Sequence, residues 1–274
     1  MTMLGIRWTI GDVSRRGFAA LRLSLWGAWR LFGRDARYLV AVNSVPLARA
    51  RALCGPAPPG IEWRAVRRDL PPWLAPHLEA GLAQGVAWKL LPARAFPDRH
   101  ELALDNDVIL WERPRALDDW LDGRAPFLLA EDVRPCFGQF AGDCAGAPRN
   151  TGIRGLPPGF DLAAALGAVL ARRRAVLVSE LDEQGLQVAA LEAAGPVAVV
   201  SAEEVTICSP FPPHVPHLGR AGAHFVGLNA RRLGFEFLGR PGEEVRAEHW
   251  DGCAAALARL TGAPAKAATG RGAP

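Results

Sequence analysis

Short apolar runs alternate with helical patterns over the first part of the chain. IRWTI (6–10), RYLVAVN (37–43) and PPGIEWRAV (58–66) have the length and apolar character of strands. Residues from about 17 to 32 have a helical pattern that stops at Gly33, a typical C-terminal signal. This strand–helix–strand rhythm predicts βαβ units and a parallel sheet.

The same kind of pattern continues to the end of the chain. Asp161 is expected to cap the helix DLAAALGAVLARR, and Gly195 to end a second helix that begins near residue 179. The other predicted elements are a Pro-bracketed helical stretch at 71–96, two short strands flanking the acidic triplet of HELALDNDVILW (100–111), a short helix at 115–121, a strand at 126–133 that runs into an acidic loop, and strand material in PVAVVSAEEVTIC (196–208).

Taken together, these elements predict an α/β protein with one domain. The expected architecture is a Rossmann-like mixed sheet, mainly parallel and flanked by helices. No internal repeat and no strong linker divides the chain, so residues 1–260 are assigned to a single domain. The small and polar residues of 261–274 predict a disordered C-terminal tail.

Composition limits the classes of partner. The chain has 274 residues, half of them hydrophobic, and a net charge of +4. Only Lys89 and Lys266 of its 32 basic residues are lysine, a bias that indicates a GC-rich and so bacterial coding sequence. The arginines are scattered and no basic face interleaved with aromatic residues is visible, which argues against nucleic acid as a partner. An anionic ligand such as a nucleoside diphosphate is compatible with this charge.

Cysteine usage and the first helical stretch bear on location. The five cysteines are odd in number and form no C-x-x-C, so neither a zinc cluster nor a disulfide framework is indicated, and the cytoplasm fits best. No signal peptide is evident. Residues 18–32 include Arg22 and Arg30 and are too short and too charged to span a bilayer. They predict an amphipathic helix packed on the sheet, with a helix in peripheral contact with a membrane surface as the alternative.

Two carboxylates at the end of a strand raise the first question of chemistry. Asp105 and Asp107 lie one residue apart, with Asn106 between them, in LALDNDVIL. Ligands of α/β sheets bind outside the carboxyl ends of the strands, and a hard divalent cation would offset the repulsion of this pair. An exposed turn between two strands is the alternative, because D-x-D alone is a weak signal.

Further stretches, in the right order, connect this pair to a known family. LALDNDVIL resembles the metal-binding D-x-D strand of nucleotide-sugar glycosyltransferases with the GT-A fold. Three further stretches resemble segments of glycosyltransferase family 8 and its relatives: RNTGIRGL (149–156), LDEQGLQ (181–187) and AHFVGLNAR (223–231). In addition, WKLLPARAF (88–96) resembles the helix that precedes the D-x-D strand. The resemblance implies a GT-A fold and an enzyme that transfers a sugar from a nucleoside diphosphate sugar to an acceptor hydroxyl, with retention at the anomeric carbon.

The resemblance also implies a metal site and a phosphate site. Asp105, Asp107 and His224 would hold Mn²⁺ or Mg²⁺ against the two phosphates of the donor, and the imidazole tilts the choice toward Mn²⁺. Lys89 would offset phosphate charge, and Gly227 would let the backbone approach a phosphate. The alternatives are a core or capping histidine for His224 and a solvated helix face for Lys89.

Other residues are carried over to the donor and the acceptor. The predicted catalytic group comprises Asn150, Asp182, Glu183 and Gln184, which would contact the donor sugar or the acceptor, although acidic residues in the first turn of a helix need no function. Further donor-binding residues would be Asn43 near the nucleotide base, Asn106, Thr151, Gly152, Asn229 and Arg231. Glu131 and Asp132 are candidates for sugar or acceptor contacts.

The chain departs from the family pattern in two places. Ala230 stands where the family has a lysine, with Arg231 next to it, and Glu183 and Gln184 stand where Gln and Asp are usual. These changes leave the donor open and allow a non-catalytic relative that binds a nucleotide sugar. A nucleotidyltransferase is a weaker alternative, because TIGDVSRRGF lacks the arrangement of a Gly-rich basic loop. HVPH (214–217) predicts an ordinary surface loop or a lid over the donor.

Overall fold

A computed structural model describes residues 3–66, 70–78, 88–230 and 232–264. Its twelve strands are β1 (Leu4–Ile10), β2 (Ala36–Val42), β3 (Ile61–Ala65), β4 (His100–Leu104), β5 (Val108–Leu110), β6 (Phe127–Glu131), β7 (Arg149–Leu156), β8 (Val197–Val200), β9 (Val205–Ile207), β10 (Gly222–His224), β11 (Glu236–Phe237) and β12 (Arg240–Pro241). Its six α-helices are α1 (Arg15–Phe32), α2 (Leu47–Cys54), α3 (Arg115–Leu121), α4 (Leu162–Arg173), α5 (Glu180–Ala194) and α6 (Gly242–Thr261).

Seven strands form the central sheet in the order β3-β2-β1-β4-β7-β6-β8. All neighbouring strands are parallel except at β7, which pairs antiparallel with both β4 and β6. A small sheet, β5-β10-β9, and the hairpin β11–β12 complete the strand pairings. The predicted mixed, mainly parallel sheet is therefore confirmed. Helical crossovers, such as α1 between β1 and β2, allow neighbouring strands to run parallel.

Capping residues define the helices where the sequence predicts them. The Ser14 side chain accepts a hydrogen bond from the Gly17 N–H at the start of α1, and Asp161 accepts one from Ala164 at the start of α4. Ser179 forms a capping box with Asp182 at the start of α5. These side chains satisfy backbone N–H groups that have no partner inside the helix.

The apolar face of α1 lies in the core. Phe18, Leu21 and Leu25 are fully buried and belong to the same cluster as Trp8 of β1 and Val40 of β2. This packing favours the interpretation of 18–32 as a helix packed on the sheet rather than one on a membrane surface. None of the helices in the described part of the chain is long and apolar enough to cross a membrane.

Two stretches differ from the sequence prediction. Within 71–96, the described residues contain only short 3₁₀ turns, Ala75–His77 and Trp88–Leu90, and residues 79–87 lie outside the described residues. Prolines remove the N–H donors that an α-helix would need there, so the expected helix of 88–96 is wrong beyond its first turn.

The helix α6 was not predicted from the sequence. Its apolar positions are sparse, and only a few of its side chains, such as Trp250 and Leu257, are buried. The helix ends at Thr261, which is buried at the boundary of the predicted tail. The rest of that tail, 265–274, lies outside the described residues.

Candidate active site

The carboxyl ends of three parallel strands bring polar residues to one edge of the central sheet. Asn43 follows β2, Asp105 follows β4 and Asp132 follows β6. Each is the first residue after a strand, where the backbone leaves the sheet. This edge is where an α/β sheet binds its ligands.

The Asp-Asn-Asp segment makes a turn from the central sheet into the small sheet. The Asp105 N–H still donates to the Gly152 carbonyl of β7 (2.8 Å), and the Val108 N–H donates back to the Asp105 carbonyl (3.1 Å). β5 begins at Val108, so the chain leaves one sheet and enters the next within three residues. This turn places both carboxylates at the same edge and confirms the predicted strands on its two sides.

β10 brings His224 to the two aspartates. His224 pairs with Val108 across the antiparallel β5–β10 ladder, one residue from Asp107. Its Nε2 lies 3.5 Å from Asp107 Oδ1 and 4.0 Å from Asp105 Oδ2. One ligand atom from each of the three residues lies within 4.8 Å of the others. Asp107 and His224 are buried, and Asp105 is partly exposed to solvent.

The side chains of Asp105, Asp107 and His224 are a ligand set that fits a divalent cation. Asp107 Oδ1 is buried and accepts no hydrogen bond from the described residues. A buried carboxylate oxygen without a partner is costly unless a proton or a cation satisfies it. Two carboxylates and an imidazole are ligands that Mn²⁺ accepts, whereas Mg²⁺ prefers an all-oxygen set. Burial lowers the pKa of His224, but Asp107 and Asp105 outweigh it and raise that pKa, which shows how negative the centre is.

Gly152 leaves space for the imidazole ring of His224, because it has no side chain. A Cβ at this position would lie 2.6 Å from His224 Cε1 and 2.9 Å from its Nδ1. Any larger residue would therefore push the imidazole away from the carboxylates. Gly152, predicted to bind the donor, thus lies against the His224 imidazole.

The loop 225–230 is fastened to the metal-binding turn by a pair of amides. Asn106 Nδ2 donates to Asn229 Oδ1 (2.9 Å), and Asn229 Nδ2 donates to Asn106 Oδ1 (3.0 Å) and to Asp107 Oδ2 (3.2 Å). Asn106 Nδ2 also donates to the Gly17 carbonyl in the first turn of α1 (3.0 Å). Asn106 and Asn229 therefore orient Asp107 and join the turn, the loop and α1.

The same loop is held from behind by α6. Arg246 is buried and its guanidinium donates to the carbonyls of Gly227 and Ala230, the latter at 2.6 Å. Gly227 has a φ of 78°, which an L side chain adopts only with strain. The loop thus presents a close-fitting backbone at the metal site. Arg231, predicted to bind phosphate, lies outside the described residues.

Lys89 faces the metal site from the other side. Its Nζ lies 3.0 Å from Asp105 Oδ2 and 4.0 Å from Glu183 Oε2. Burial lowers the pKa of Lys89, but the two carboxylates outweigh it and raise the pKa, so Lys89 is charged. Burial raises the pKa of Asp105, and Lys89 and His224 outweigh that effect and lower it. Lys89, whose side chain is 44% exposed, is therefore a cation on a 3₁₀ turn beside the candidate metal site.

Glu183 is a buried carboxylate at the floor of the site. It accepts a hydrogen bond from Gln187 Nε2, and Gln187 Oε1 accepts one from the Arg154 guanidinium. Burial raises the pKa of Glu183 to about 7, although Lys89 and Arg154 lower it. Burial, together with Arg7, lowers the pKa of Arg154 to about 9.

A layer of charge under the site was missed by the sequence analysis. Arg7 of β1, Glu101 of β4 and Arg154 of β7 are buried charged residues on three adjacent strands. Arg7 and Arg154 are both in register with Ala103, the small residue between them. Charged residues inside apolar strands are the signal that could have found them, because such groups are rarely buried without partners.

A cleft of about 500 Å³ opens above this floor. Asp132, His214 and Arg134 line the side opposite Lys89. Asp132 Oδ2 accepts a hydrogen bond from Asn150 Nδ2 (2.9 Å). The loop that contains HVPH thus borders the cleft through His214. The predicted residues that line the cleft are Lys89, Asp105, Asp107, Asn150, Glu183, Gln184, His224, Gly227 and Asn229.

Three of the predicted residues that do not line the cleft make hydrogen bonds that serve the fold. The Asp182 carboxylate accepts hydrogen bonds from the backbone N–H groups of Gln139 (2.9 Å), Val178 (3.0 Å) and Ser179 (3.2 Å). These bonds hold the start of α5 in place. Asn43 is buried at the end of β2, where its side chain accepts from the Ser44 hydroxyl. Glu131 Oε2 accepts from the Ala202 N–H (2.9 Å), away from the cleft-lining residues. Asp182 is therefore corrected from a catalytic residue to a capping residue.

Two predicted residues lie at the base of the cleft. Thr151 lines a cavity of about 20 Å³ with Arg154 and Glu183, which is room for about one water molecule. Gln184 Nε2 donates to the Cys136 carbonyl (2.9 Å), and its Oε1 faces the Thr151 N–H at 3.5 Å. The first contact joins α5 to the loop after β6, and the second brings α5 next to β7.

Replacing His224 by alanine should weaken Mn²⁺ binding at least ~10- to 100-fold. Losing a residue that only supports a metal ligand already costs that much. The change removes one of three ligand groups while both carboxylates stay. Titration calorimetry with Mn²⁺ measures it, with His217→Ala as the control because His217 does not line the cleft. Unchanged affinity in His224→Ala would show that the three-residue site is wrong.

Replacing Glu183 by glutamine should change how stability depends on pH. With a folded pKa of about 7, above its ordinary 4.5, Glu183 stabilises the fold in its protonated form, and that contribution is lost as pH rises from 4.5 through 7. The natural chain should lose unfolding free energy between pH 5 and pH 8 through this group, whereas Glu183→Gln should not. The unfolding free energy of the variant, relative to that of the natural chain, should therefore rise by on the order of 2–3 kcal/mol from pH 5 to pH 8. Urea unfolding at both pH values measures this, with the exposed Glu203→Gln as control. Equal gains in the two variants would contradict it.

Solved structures share this fold. The chain superposes on the galactosyltransferase LgtC, solved in complex with donor and acceptor sugar analogs, with a TM-score of 0.52 and 14% identity over 90% of this chain and 95% of that one. An active-site mutant of LgtC gives 0.52 and 13% over 94% and 95%. Mouse xyloside xylosyltransferase 1 gives 0.53 and 14% over 84% and 99%. No family model and no curated protein sequence matches the chain. The predicted GT-A fold is thereby confirmed.

Proposed function

We propose that this protein is a metal-dependent glycosyltransferase that moves a sugar from a nucleoside diphosphate donor to an acceptor hydroxyl with retention at the anomeric carbon. One observation carries the proposal. Asp105 and Asp107 converge with His224, which is distant from them in the sequence, within 4.8 Å at the ligand-binding edge of the sheet. The cleft above them holds about 500 Å³, the size of a pocket for a small-molecule ligand.

Two further observations support it. The motifs that resemble glycosyltransferase family 8 in the sequence come together around one cleft, although they are separated by up to about 120 residues. The fold is shared with solved glycosyltransferases, one of them in complex with donor and acceptor sugar analogs. Fold alone does not imply activity, so the site residues carry the argument.

A divalent cation, Mn²⁺ in this proposal, would supply Lewis-acid stabilisation of the departing diphosphate when held by Asp105, Asp107 and His224. Lys89 adds a positive charge on the opposite side of Asp105. Asn229 orients Asp107 through its hydrogen bond to Oδ2. These groups are in place before the ligand arrives, so little reorganisation is needed as charge develops on the leaving group.

The remaining residues position the two sugars. Asn150 and Glu183 line the cleft between the metal-binding edge and the side where Asp132 lies. Asn150 is held by Asp132 and by the Gly152 N–H (2.7 Å), so its amide is oriented before binding. We assign Asn150 and Glu183 to the donor sugar, and Gln184 and Asp132 to the acceptor side. Orientation of two reactants in one cleft is itself a large part of the rate. We also propose that the protein acts in the cytoplasm.

Hydrolysis and transfer assays with a panel of UDP-sugars and GDP-sugars, with and without Mn²⁺, test the function. We expect Mn²⁺-dependent release of the nucleoside diphosphate from at least one donor. If no donor is turned over but one raises the melting temperature in the presence of Mn²⁺, the protein is a non-catalytic nucleotide-sugar binder. That outcome would agree with Ala230 in place of the family's lysine. If no donor has either effect, the proposal is wrong.

A further inference from the structure

Half of the exposed large hydrophobic residues in the described part of the chain lie in one short segment. Val176, Val178 and Leu181 are three of six such residues, and each is 43–44% exposed. The segment joins the end of α4 to the first turn of α5. Single exposed apolar residues need no explanation, whereas a contiguous group marks an interaction surface. We call these three residues the apolar strip.

The backbone turns the apolar strip toward solvent and toward the cleft. Leu177 forms a β-bridge and is fully buried, so its neighbours Val176 and Val178 point away from the core. Leu181 lies one turn before Gln184 on the same face of α5, and both residues line the cleft. The apolar strip therefore leads from the outer surface to the mouth of the cleft.

An arginine run directly precedes the apolar strip. Arg172 and Arg173 end α4, and Arg174 follows them as the C-cap. Arg172 (3.0 Å) and Arg173 both contact the carboxylate of Asp143. Asp143 is only 12% exposed behind them, whereas all three arginines are exposed. This end of the segment therefore presents more positive than negative charge to solvent.

Arg174 has a backbone conformation that favours glycine. Its φ of 51° lies in the left-handed region, where α6 has Gly262 with a φ of 70° as its C-cap. Arg174 also has no ion-pair partner among the residues that the structure describes. The end of α4 thus holds a free guanidinium group at the surface, in a position where a glycine would be less strained.

We propose that this segment docks the protein on an anionic membrane surface. The docking surface, the basic–apolar rim, consists of Arg172, Arg173, Arg174, Val176, Val178 and Leu181. Its two halves are neighbours in space, because Gln139 Nε2 donates to the Val176 carbonyl (2.8 Å) and the Gln139 carbonyl accepts from Arg173 Nη2 (3.4 Å). Guanidinium groups pair with lipid phosphates, and aliphatic side chains enter the boundary between headgroups and acyl chains.

The position of the rim places the membrane beside the candidate active site. Leu181 belongs to both the rim and the wall of the cleft. A bound membrane would therefore lie at the mouth of the cleft, on the side that the proposed function assigns to the acceptor. The docking itself does not depend on the glycosyltransferase function, and it is measured without any donor.

Other occupants fit the rim less well. Three half-exposed aliphatic side chains are far fewer than the about 20–30 residues a side that a stable protein interface uses, which argues against a second copy of the chain. A single-stranded nucleic acid would stack its bases on aromatic side chains, and the rim contains none. An anionic lipid surface uses both halves of the rim, because it offers phosphate charge next to an apolar interior.

Sedimentation of the full-length chain with sucrose-loaded vesicles tests the inference. We expect binding to vesicles of equimolar phosphatidylcholine and phosphatidylglycerol, much weaker binding to phosphatidylcholine alone, and weaker binding as salt is raised. Hydrogen exchange with the anionic vesicles should show added protection in peptides that cover residues 172–181. No binding to the anionic vesicles, equal binding to both kinds, or protection only in other peptides would overturn the inference.

Matched variants distinguish the rim from other exposed residues. Arg174→Gln should weaken binding to the anionic vesicles roughly fivefold, the effect of one basic residue near such a surface. The double variant Val176→Ser with Val178→Ser should weaken it at least as much. The controls are Arg49→Gln, an exposed arginine of α2, and Leu238→Ser, which changes the most exposed of the six hydrophobic residues. Both controls should bind as the natural chain does.

Two results with these variants would also contradict the inference. One is an equal loss of binding in the rim variants and in their controls, which would assign the effect to overall charge or to another surface. The other is a dimer in the absence of vesicles that the double valine variant dissociates, which would assign the rim to a second copy of the chain.

Discussion

Replacing Asp105 or Asp107 by alanine should abolish Mn²⁺-dependent binding of the nucleotide-sugar donor. Each change removes one of two carboxylates that the structure places within 4.8 Å of His224 Nε2 and of each other. One carboxylate and one imidazole are too few protein ligands to hold the cation against water, so we expect at least a ~100-fold loss of affinity, the upper end of what lost supporting contacts alone cost.

The fold should tolerate both changes. Each variant loses the repulsion between two carboxylates, and Asp105→Ala leaves Lys89 with Glu183 as its nearest carboxylate. The melting temperature in the absence of metal should therefore stay the same or rise. Calorimetric titrations with Mn²⁺ and then with donor measure affinity, with the exposed Asp122→Ala as the control. Undiminished metal and donor affinity in either variant would show that the assignment of the site is wrong.

Replacing Glu101 by glutamine should cost the protein about 3–5 kcal/mol of unfolding free energy, the usual cost of breaking a buried ion pair by removing one partner. Glu101 is fully buried in β4, and its Oε1 lies 3.1 Å from Arg7 Nε. Its Oε2 accepts the backbone N–H groups of Ala95 and Phe96, both at 2.7 Å, and lies 3.4 Å from Arg94 Nε. Without its charge, Arg7 remains buried in the sheet with no carboxylate at its Nε.

Urea unfolding measures this cost against a surface control. Glu62 makes exposed ion pairs with Arg64 (2.7 Å) and Arg37 (3.9 Å), so Glu62→Gln should change stability by less than about 1 kcal/mol. The double variant Arg7→Met with Glu101→Leu removes both charges and should recover most of the loss. A loss below about 1 kcal/mol in Glu101→Gln, or a double variant as unstable as the single one, would contradict the role of this ion pair.

The buried charges and the metal-binding edge are parts of one layered arrangement. Arg7, Ala103 and Arg154 form a row across three strands. A second row, Asp105 with Gly152, lies two residues further toward the carboxyl end of β4. Glu183 connects the two rows, since its carboxylate contacts Gln187 below and Lys89 above. The floor of the candidate active site is therefore a network of paired charges rather than an apolar core, and it resists displacement because each charge depends on its neighbours.

Local patterns predicted much of the fold because they reflect local physics. The strands at 6–10, 37–43 and 126–133 follow from apolar runs, and the ends of α4 and α5 follow from Asp161 and Gly195, whose effects act within one turn. The described parts of 71–96, residues 71–78 and 88–96, do not form the expected helix because prolines interrupt them, and α6 was missed because few of its residues face the core. Neither error could be corrected without knowing what packs against those segments.

The sequence by itself predicted the candidate metal-binding residues and their order along the chain. Two aspartates after a strand, an Asn-Thr-Gly and a histidine followed by Phe-x-Gly are local signatures, and each is readable without coordinates. Only the tertiary structure decided that Asp182 caps a helix while Glu183, its neighbour, faces the site. It also decided that Arg7 and Arg154 underlie the cleft. These outcomes depend on contacts between residues distant in sequence, which arise only when the strands pair and the helices pack.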